Sequence, residues 1–448
     1  MGLTGIQIFK LLPKTNCKEC GVPTCLAFAM NLAAGKAELS ACPYVSEEAK
    51  ALLSEASAPP IRPLAIGAGE NVLKIGGETV LFRHEKTFVN RPGLAVLVSD
   101  TMPEAEIDGR LKRFQELRYE RVGLILRPEM VAVKNESGDP AKFEALVKKV
   151  KAETDAALIL MSDKIDALTA GVKASADRLP LIYAATDGNS EALANLAKEN
   201  KCPLAVRASS LEGLSQLCEK LTAAGLKDLV LDSGARTLRR AFEDQIFIRR
   251  AALIQKNRSL GFPTITFPCE MTTDPMKEAL IAATFVAKYA GIVVLSDFQG
   301  ESLFPLLVER LNIYTDPQRP MMMQQGIYPI GNPTEDSPVM ITTNFSLTYF
   351  IVSGEVESSR VASWLLVMDT EGLSVLTAWA AGKFVGDAIG AFIKKSGITE
   401  KVKHRRVIIP GAVAAVSGDL EEELGSGWQV KIGPREAAHL PAFLKMGN

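Results

Sequence analysis

Histidine is scarce in this chain: only His84, His404 and His439 occur in 448 residues. Imidazole is the usual base of a triad hydrolase and a common metal ligand, so this scarcity argues against a His-centred hydrolase and a His-rich metal site. Neither a G-x-S-x-G elbow nor a Walker A loop is present. The N-terminus lacks the apolar core of a cleavable secretory signal. The most apolar long stretch, Ala279 to Ser296, is interrupted by Lys288 and reads as a helix end followed by a strand, so no membrane span is expected. An excess of one charge is also missing. The 51 basic and 52 acidic side chains leave a formal charge of −1, which gives no support for nucleic-acid or membrane-surface binding by net charge. A cytoplasmic protein in a reducing cell is expected. The hydrophobic fraction of 47% suffices for large buried cores, and the length suggests about three domains.

What the chain does have is four clustered cysteines: Cys17, Cys20, Cys25 and Cys42, spaced C-x2-C-x4-C-x16-C and followed by Pro43. Four thiolates gathered so tightly suit one iron–sulfur cluster, with a long return loop carrying the fourth ligand. A proline after the closing cysteine turns the chain away from such a cluster. A structural zinc site also takes four cysteines, but more often as two C-x2-C pairs. A disulfide framework would need a small secreted chain. Cys202, Cys218 and Cys269 are scattered and read as packing residues.

The expected fold class is α/β multidomain. Residues 1–57 form the four-Cys module, with an amphipathic start at Gly5–Leu12 and helical spacing from Thr24 to Leu39. Ala58-Pro59-Pro60-Ile61-Arg62-Pro63 is expected to be a stiff, extended tether, and residues 58–92 lead into the next domain. Over 93–311, runs rich in Val, Leu and Ile alternate with helical stretches. They are Leu94–Val98, Val122–Leu126, Ala157–Met161, Leu181–Ala184, Leu204–Val206, Leu229–Leu231, Thr264–Phe267 and Ile292–Leu295. Buried parallel strands joined by helices fit a (β/α)8 TIM-like barrel, and a doubly wound sheet gives the same alternation. Ser99-Asp100, Thr186-Asp187, Asp232-Ser233 and Ser296-Asp297 follow such runs. They would either cap the next helix or line a ligand rim.

Residues 312–338, with five prolines, read as a second irregular connection, in which Met321-Met322-Met323 is expected to pack. Residues 339–448 read as a Rossmann-like α/β domain with strands at Val339–Thr343, Trp364–Met368, Val407–Ile409 and Trp428–Ile432. Helices are expected at Phe384–Ile393 and Glu436–Leu444. The following loops, Asp369–Ser374, Pro410-Gly411-Ala412 and Gly433-Pro434-Arg435, carry small and hydroxylated residues at the edge where open parallel sheets bind ligands. Ordinary turn chemistry is the alternative for each loop.

With N-C-K-E-C-G-V-P-T-C, the Pro-rich tether and T-T-N-F-S-L-T-Y-F in hand, the chain resembles the large (gamma) subunit of the corrinoid iron–sulfur protein of the acetyl-CoA decarbonylase/synthase system, over essentially its whole length. The resemblance implies a methyl carrier. A methyltransferase loads the methyl of methyltetrahydrofolate or a related pterin onto corrinoid cobalt, and acetyl-CoA synthase accepts it. Cys17, Cys20, Cys25 and Cys42 would ligate a [4Fe–4S] cluster that returns oxidised cobalt to Co(I). Corrinoid contacts map onto Thr342, Ser346, Thr348, Gly372, Leu373, Ser374, Val375, Gly411, Ala412, Gly433, Pro434 and Arg435. A smaller barrel subunit would complete a heterodimer. The cobalamin motif D-x-H-x-x-G is absent, and neither His404 nor His439 fits it, so no protein imidazole is expected on the cobalt. The resemblance implies that the nucleotide base is displaced as well (a base-off corrinoid), which eases access to Co(I). The tether suggests that the cysteine module moves. Other classes remain: a methyltransferase whose barrel binds pterin through Asp187 and Asn189, an iron–sulfur electron carrier, or a structural zinc protein.

Overall fold

The computed structural model describes residues 4–33, 37, 39–46, 49–50, 53, 59–69 and 72–446. Parts of the sequence expectations lie outside these: residues 34–36 and 38 of the helix read to Leu39, residues 47–48, 51–52 and 54–57 of the cysteine module, and Ala58 of the tether. The chain divides into two compact units, residues 1–118 with 127–314, and residues 119–126 with 315–448. Among the described residues, no helix is long and apolar enough to cross a membrane.

In the first unit, eight parallel strands form one sheet: β1 (Gly93–Ser99), β2 (Met130–Lys134), β3 (Ala157–Met161), β4 (Leu181–Ala185), β5 (Leu204–Arg207), β6 (Leu229–Asp232), β7 (Ile265–Thr266) and β8 (Ile292–Leu295). The order β6-β5-β4-β3-β2-β1-β8-β7 runs in chain sequence around a ring. A parallel bridge between Leu231 and Thr264 brings the two ends together. This is a near-closed TIM-like barrel, and the doubly wound alternative falls away. Alternate residues point inward, including Ala132, Ile159, Leu181, Val230 and Ile265, and they pack into one continuous core.

Two expectations fail here. Val122–Leu126 is no barrel strand. Tyr119–Arg121 and Leu124–Leu126 form an antiparallel hairpin in the second unit. Val122 and Gly123 turn at φ +54° and +71°, the left-handed pair that a two-residue type I′ hairpin requires. Its place in the barrel is taken by Met130–Lys134. The tether also differs from a free spacer. Ile61 is buried, Arg62 N–H donates to Gly261 O at 2.9 Å, and Ile61 O accepts from Gly77 N–H at 2.9 Å. The segment bends at Pro60 and Ile61 and is strapped to the barrel unit by these bonds.

The second unit holds a five-stranded sheet: β9 (Gly326–Ile330), β10 (Val339–Thr343), β11 (Ser363–Met368), β12 (Arg406–Ile409) and β13 (Gln429–Ile432), ordered β9-β11-β10-β12-β13. All pairs are parallel except β9 with β11. β9 lies within a stretch expected to be irregular, and it carries Pro329 as an edge strand tolerates. Phe384, Ile389, Ile393 and Leu420 cover one sheet face. Val356, Leu440, Leu444 and Val122 of the hairpin cover the other.

Candidate functional site

In the five-stranded sheet, chain order reverses between β10 and β12: β11 lies to one side of β10, while β12 and β13 lie to the other. Connections leaving the carboxyl ends of β10 and β12 diverge there, which opens a crevice. A cavity of about 150 Å³ occupies this place. Of the residues expected from sequence, Thr342, Thr348, Val375, Ala412, Gly433, Pro434 and Arg435 line it. The rest of the wall is mostly apolar: Met340, Ile341, Val352, Ile408, Ile409, Pro410, Ala437 and Leu440. Apart from Pro410, which belongs to a loop singled out in the sequence, sequence reading missed these because an apolar cavity wall has the periodicity of a core.

Thr342 stands at the end of β10 with 1% exposure. Its Oγ1 is buried without a hydrogen-bond partner, as is that of Thr343. A buried hydroxyl left unpaired costs roughly 1–3 kcal/mol, so Thr342 is suited to a polar group entering the cavity.

Ser346, Gly372, Leu373, Ser374 and Gly411 do not line the cavity. Ser346 begins the helix Ser346–Ser359, and its N–H donates to Met321 O at 3.0 Å. Ser374 Oγ lies 3.0 Å from Thr377 Oγ1. Gly411 permits a close approach: a Cβ there would lie 2.3 Å from Gly433 O. Gly372 has φ +74° and gives its N–H to Asn344 Oδ1 at 3.0 Å. Asn344, which sequence reading passed over inside T-T-N-F, is the joint of this edge. Its Oδ1 also accepts from Thr370 N–H at 3.0 Å, and its Nδ2 donates to Asp369 at 2.9 Å. It thereby ties the end of β10 to the Asp369–Ser374 loop. Among the described residues, no histidine lines the cavity. His404 is held elsewhere, with Nε2 2.9 Å from Ser337 O and Nδ1 accepting from Arg406 N–H.

The four N-terminal cysteines lie on one module. Its helices Gly5–Leu11 and Cys25–Ala33 enclose a small core that contains Cys25 and Cys42, with Cys20 packed against it. Cys17 is half-buried, and all four thiols are free of disulfides. Among the described residues, no three His, Cys, Asp or Glu side chains converge closely enough to hold a metal ion as they stand. The donor set nevertheless suits thiolate ligation. Asn16 N–H points at Cys25 Sγ from 3.4 Å, and Tyr44 O–H donates to Glu19 at 2.7 Å, fastening the loop of Cys17 and Cys20 to the return loop of Cys42.

At the barrel's carboxyl rim, the four expected hydroxyl and acidic pairs do not cap the following helices, and of them Ser296-Asp297 borders a small cavity of about 30 Å³. The helices after them start at Pro103, Asn189, Thr237 and Gln299 without side-chain caps. Asp100 instead accepts from Asn135 Nδ2 at 2.6 Å and Ser137 Oγ at 2.7 Å. Burial pushes its carboxyl up, but these and backbone hydrogen bonds hold it below its usual value. Glu136 is held at about 2 by the hydroxyls of Ser99 and Thr101 and by Lys134. Tyr183 O–H donates to Asp232 at 2.5 Å. Arg236 bonds both Asp232 oxygens and also Glu270. Burial raises the Tyr183 hydroxyl well above its ordinary value and the Cys269 thiol to about 12. Asn189 is spent on its own turn, accepting from Thr186 N–H at 2.7 Å.

Known proteins resemble the chain along nearly its whole length. The family model "CO dehydrogenase/acetyl-CoA synthase delta subunit" matches residues 63–444, and "Putative Fe-S cluster" matches residues 12–44, a span that holds all four cysteines. The corrinoid/iron-sulfur protein large subunit of Moorella thermoacetica is 48% identical, with 99% of each chain covered. The acetyl-CoA decarbonylase/synthase complex subunit gamma of Methanopyrus kandleri is 39% identical over 99% of this chain and 97% of that one. The gamma subunit of Methanothermobacter thermautotrophicus is 34% identical over 99% of each. A dihydropteroate synthase structure from Thermus thermophilus aligns with 53% of this chain at TM-score 0.39 and 14% identity, too little to bear on function. On its sequence relatives, the chain belongs to the family of corrinoid/iron-sulfur protein large subunits, the gamma subunits of acetyl-CoA decarbonylase/synthase.

Proposed function

We propose that this chain is a corrinoid-dependent methyl carrier with its corrinoid on the five-stranded sheet and a [4Fe–4S] cluster on the four-Cys module. The observation that carries the reading is the apolar cavity at the strand-order reversal, with the buried, unpartnered Thr342 hydroxyl in its wall. Thr342, Thr348, Val375, Ala412, Gly433, Pro434 and Arg435 would hold the cofactor. Asn344 would set the Asp369–Ser374 loop beside it. At about 150 Å³ the cavity takes part of a corrinoid rather than all of it. When bound, the corrinoid supplies a cobalt centre that accepts and donates a methyl group. The chain's residues supply an apolar wall that excludes water and a hydroxyl for one polar group, with no imidazole among the lining residues. The base-off state is taken from the family resemblance rather than from this wall.

Cys17, Cys20, Cys25 and Cys42 would hold the cluster, which supplies low-potential electrons for reactivation. The partners are a smaller barrel subunit in a heterodimer, a methyltetrahydrofolate (or related pterin) methyltransferase and acetyl-CoA synthase. The chain then works as a carrier subunit within corrinoid methyl transfer. A pterin-binding barrel is less well supported, because Asn189 is engaged in its own loop and the rim charges neutralise one another. Anaerobic purification with cobalt and iron analysis and a visible spectrum tests the proposal. Corrin bands over broad iron–sulfur absorption are expected. Iron without cobalt, after corrinoid has been supplied, would leave an electron carrier only.

A further inference from the structure

Asn16 is not one of the four thiol ligands, yet it grips one of them twice. Its side-chain Oδ1 accepts from Cys25 N–H at 2.8 Å, and its own backbone N–H points at Cys25 Sγ from 3.4 Å. Cys25 opens the helix Cys25–Ala33. The first N–H groups of a helix have no partner within it. Asn16 satisfies one of them from nine residues upstream, as a cap brought in by the loop. The loop makes this possible by an unusual backbone: Asn16 has φ +49°, and Lys14 and Lys18 are also positive at +60° and +66°. Asparagine is among the non-glycine residues that tolerate this region best. Asn16 also directly precedes Cys17, so the grip links the first and third cysteines of the module.

We propose that Asn16 is a positioning residue for the cluster: it fixes the Cys25 sulfur in place and donates a backbone hydrogen bond to it. This rests on the cluster reading above. A hydrogen bond to a cluster sulfur stabilises the more negative, reduced state and thus raises the potential. Partners of metal ligands commonly change metal retention by about 10- to 100-fold when removed.

The test uses full-length protein handled without oxygen, with iron release to a chelator and the EPR-monitored midpoint potential as readouts. Asn16→Ala removes the acceptor for Cys25 N–H and disfavours the left-handed backbone that aims the N–H···S bond. Iron release about tenfold or more faster and a more negative midpoint are expected. Asn16→Asp keeps the acceptor, so iron release returns to the parent rate, while its added negative charge still lowers the midpoint. Lys14→Ala changes another left-handed residue of the loop without touching Cys25, and it should release iron at the parent rate. Parent-like release and midpoint in Asn16→Ala would overturn the proposal, and so would equal loosening by Lys14→Ala. An iron-free parent after anaerobic reconstitution would instead remove the cluster reading itself.

Discussion

The barrel and the five-stranded sheet use the same strand–helix alternation but finish their carboxyl edges differently. In the ring of β1 to β8, every strand has neighbours that follow chain order, and the interior is filled by side chains. Its mouth is closed by groups that satisfy one another: Tyr183 with Asp232, Asp232 with Arg236, Arg236 with Glu270. In the open sheet, the order reverses at β10 and the edge keeps a cavity with a hydroxyl that nothing satisfies. Topology thus decides where space remains. A ring that closes on itself spends most of its polar rim in internal bonds and keeps a cavity of only about 30 Å³ beside Ser296-Asp297, whereas a reversal leaves a larger crevice.

The strongest way to break this contrast is at the barrel mouth. Arg236→Met leaves Asp232, 2% exposed, without its counter-charge, and breaking such a buried pair costs about 3–5 kcal/mol. Thermal and denaturant unfolding should show the loss. A change within the roughly 0–1 kcal/mol of a surface ion pair would mean that the mouth is open to water and the contrast fails. Next, Ala412→Trp should fill the cavity. Corrinoid retention, read as cobalt per chain after desalting, is expected to fall at least about tenfold, or ~1.4 kcal/mol, with iron content unchanged. Full retention would move the corrinoid site elsewhere.

Thr342→Val sharpens the comparison from the other side. It keeps the shape and removes the orphan hydroxyl, so the corrinoid-free protein should gain about 1 kcal/mol while corrinoid binding weakens. Loss of stability in the corrinoid-free state would show that the hydroxyl already has a partner. The smallest effect concerns Glu136, whose carboxyl is lowered from 4.5 to about 2 by Ser99, Lys134 and Thr101. A depressed carboxyl contributes stability above its unfolded value and loses it as pH falls through the folded value. Acid should therefore erode the barrel between about pH 4.5 and 2. Glu136→Gln should flatten that slope in circular-dichroism titrations, and an unchanged slope would remove Glu136 from the rim's bonding.

Much of the barrel was legible because its strands are continuous apolar runs. Ala157–Met161 and Ile292–Leu295 have in the structure the bounds read from sequence. Val122–Leu126 misled because Val-Gly-Leu-Ile-Leu has strand composition, while the left-handed turn at Val122-Gly123 depends on backbone angles that composition does not reveal. Met130–Lys134 was overlooked beside it. The loops of the candidate site were legible through their small residues, so Ala412 and Gly433 stood out, whereas Thr342, inside a strand, came from the resemblance carried by T-T-N-F-S-L-T. Met340, Val352, Ile408 and Leu440 were not, since lining a void and filling a core require the same side chains. Asn344 was hidden because its importance lies in bonds to residues more than twenty positions away.

The hairpin Tyr119–Leu126 makes the second unit discontinuous in the chain. During synthesis it leaves the ribosome long before Met323, Ile330 and Tyr328, beside which Val122 finally packs. The second unit therefore cannot mature as a tail that folds by itself after the barrel; it must wait for one early segment and many late ones to meet. Such distant contacts carry a loop-closure cost and slow folding. A fragment beginning at Thr315 would emerge with an apolar scar where the hairpin belongs, and would call for the missing segment in trans.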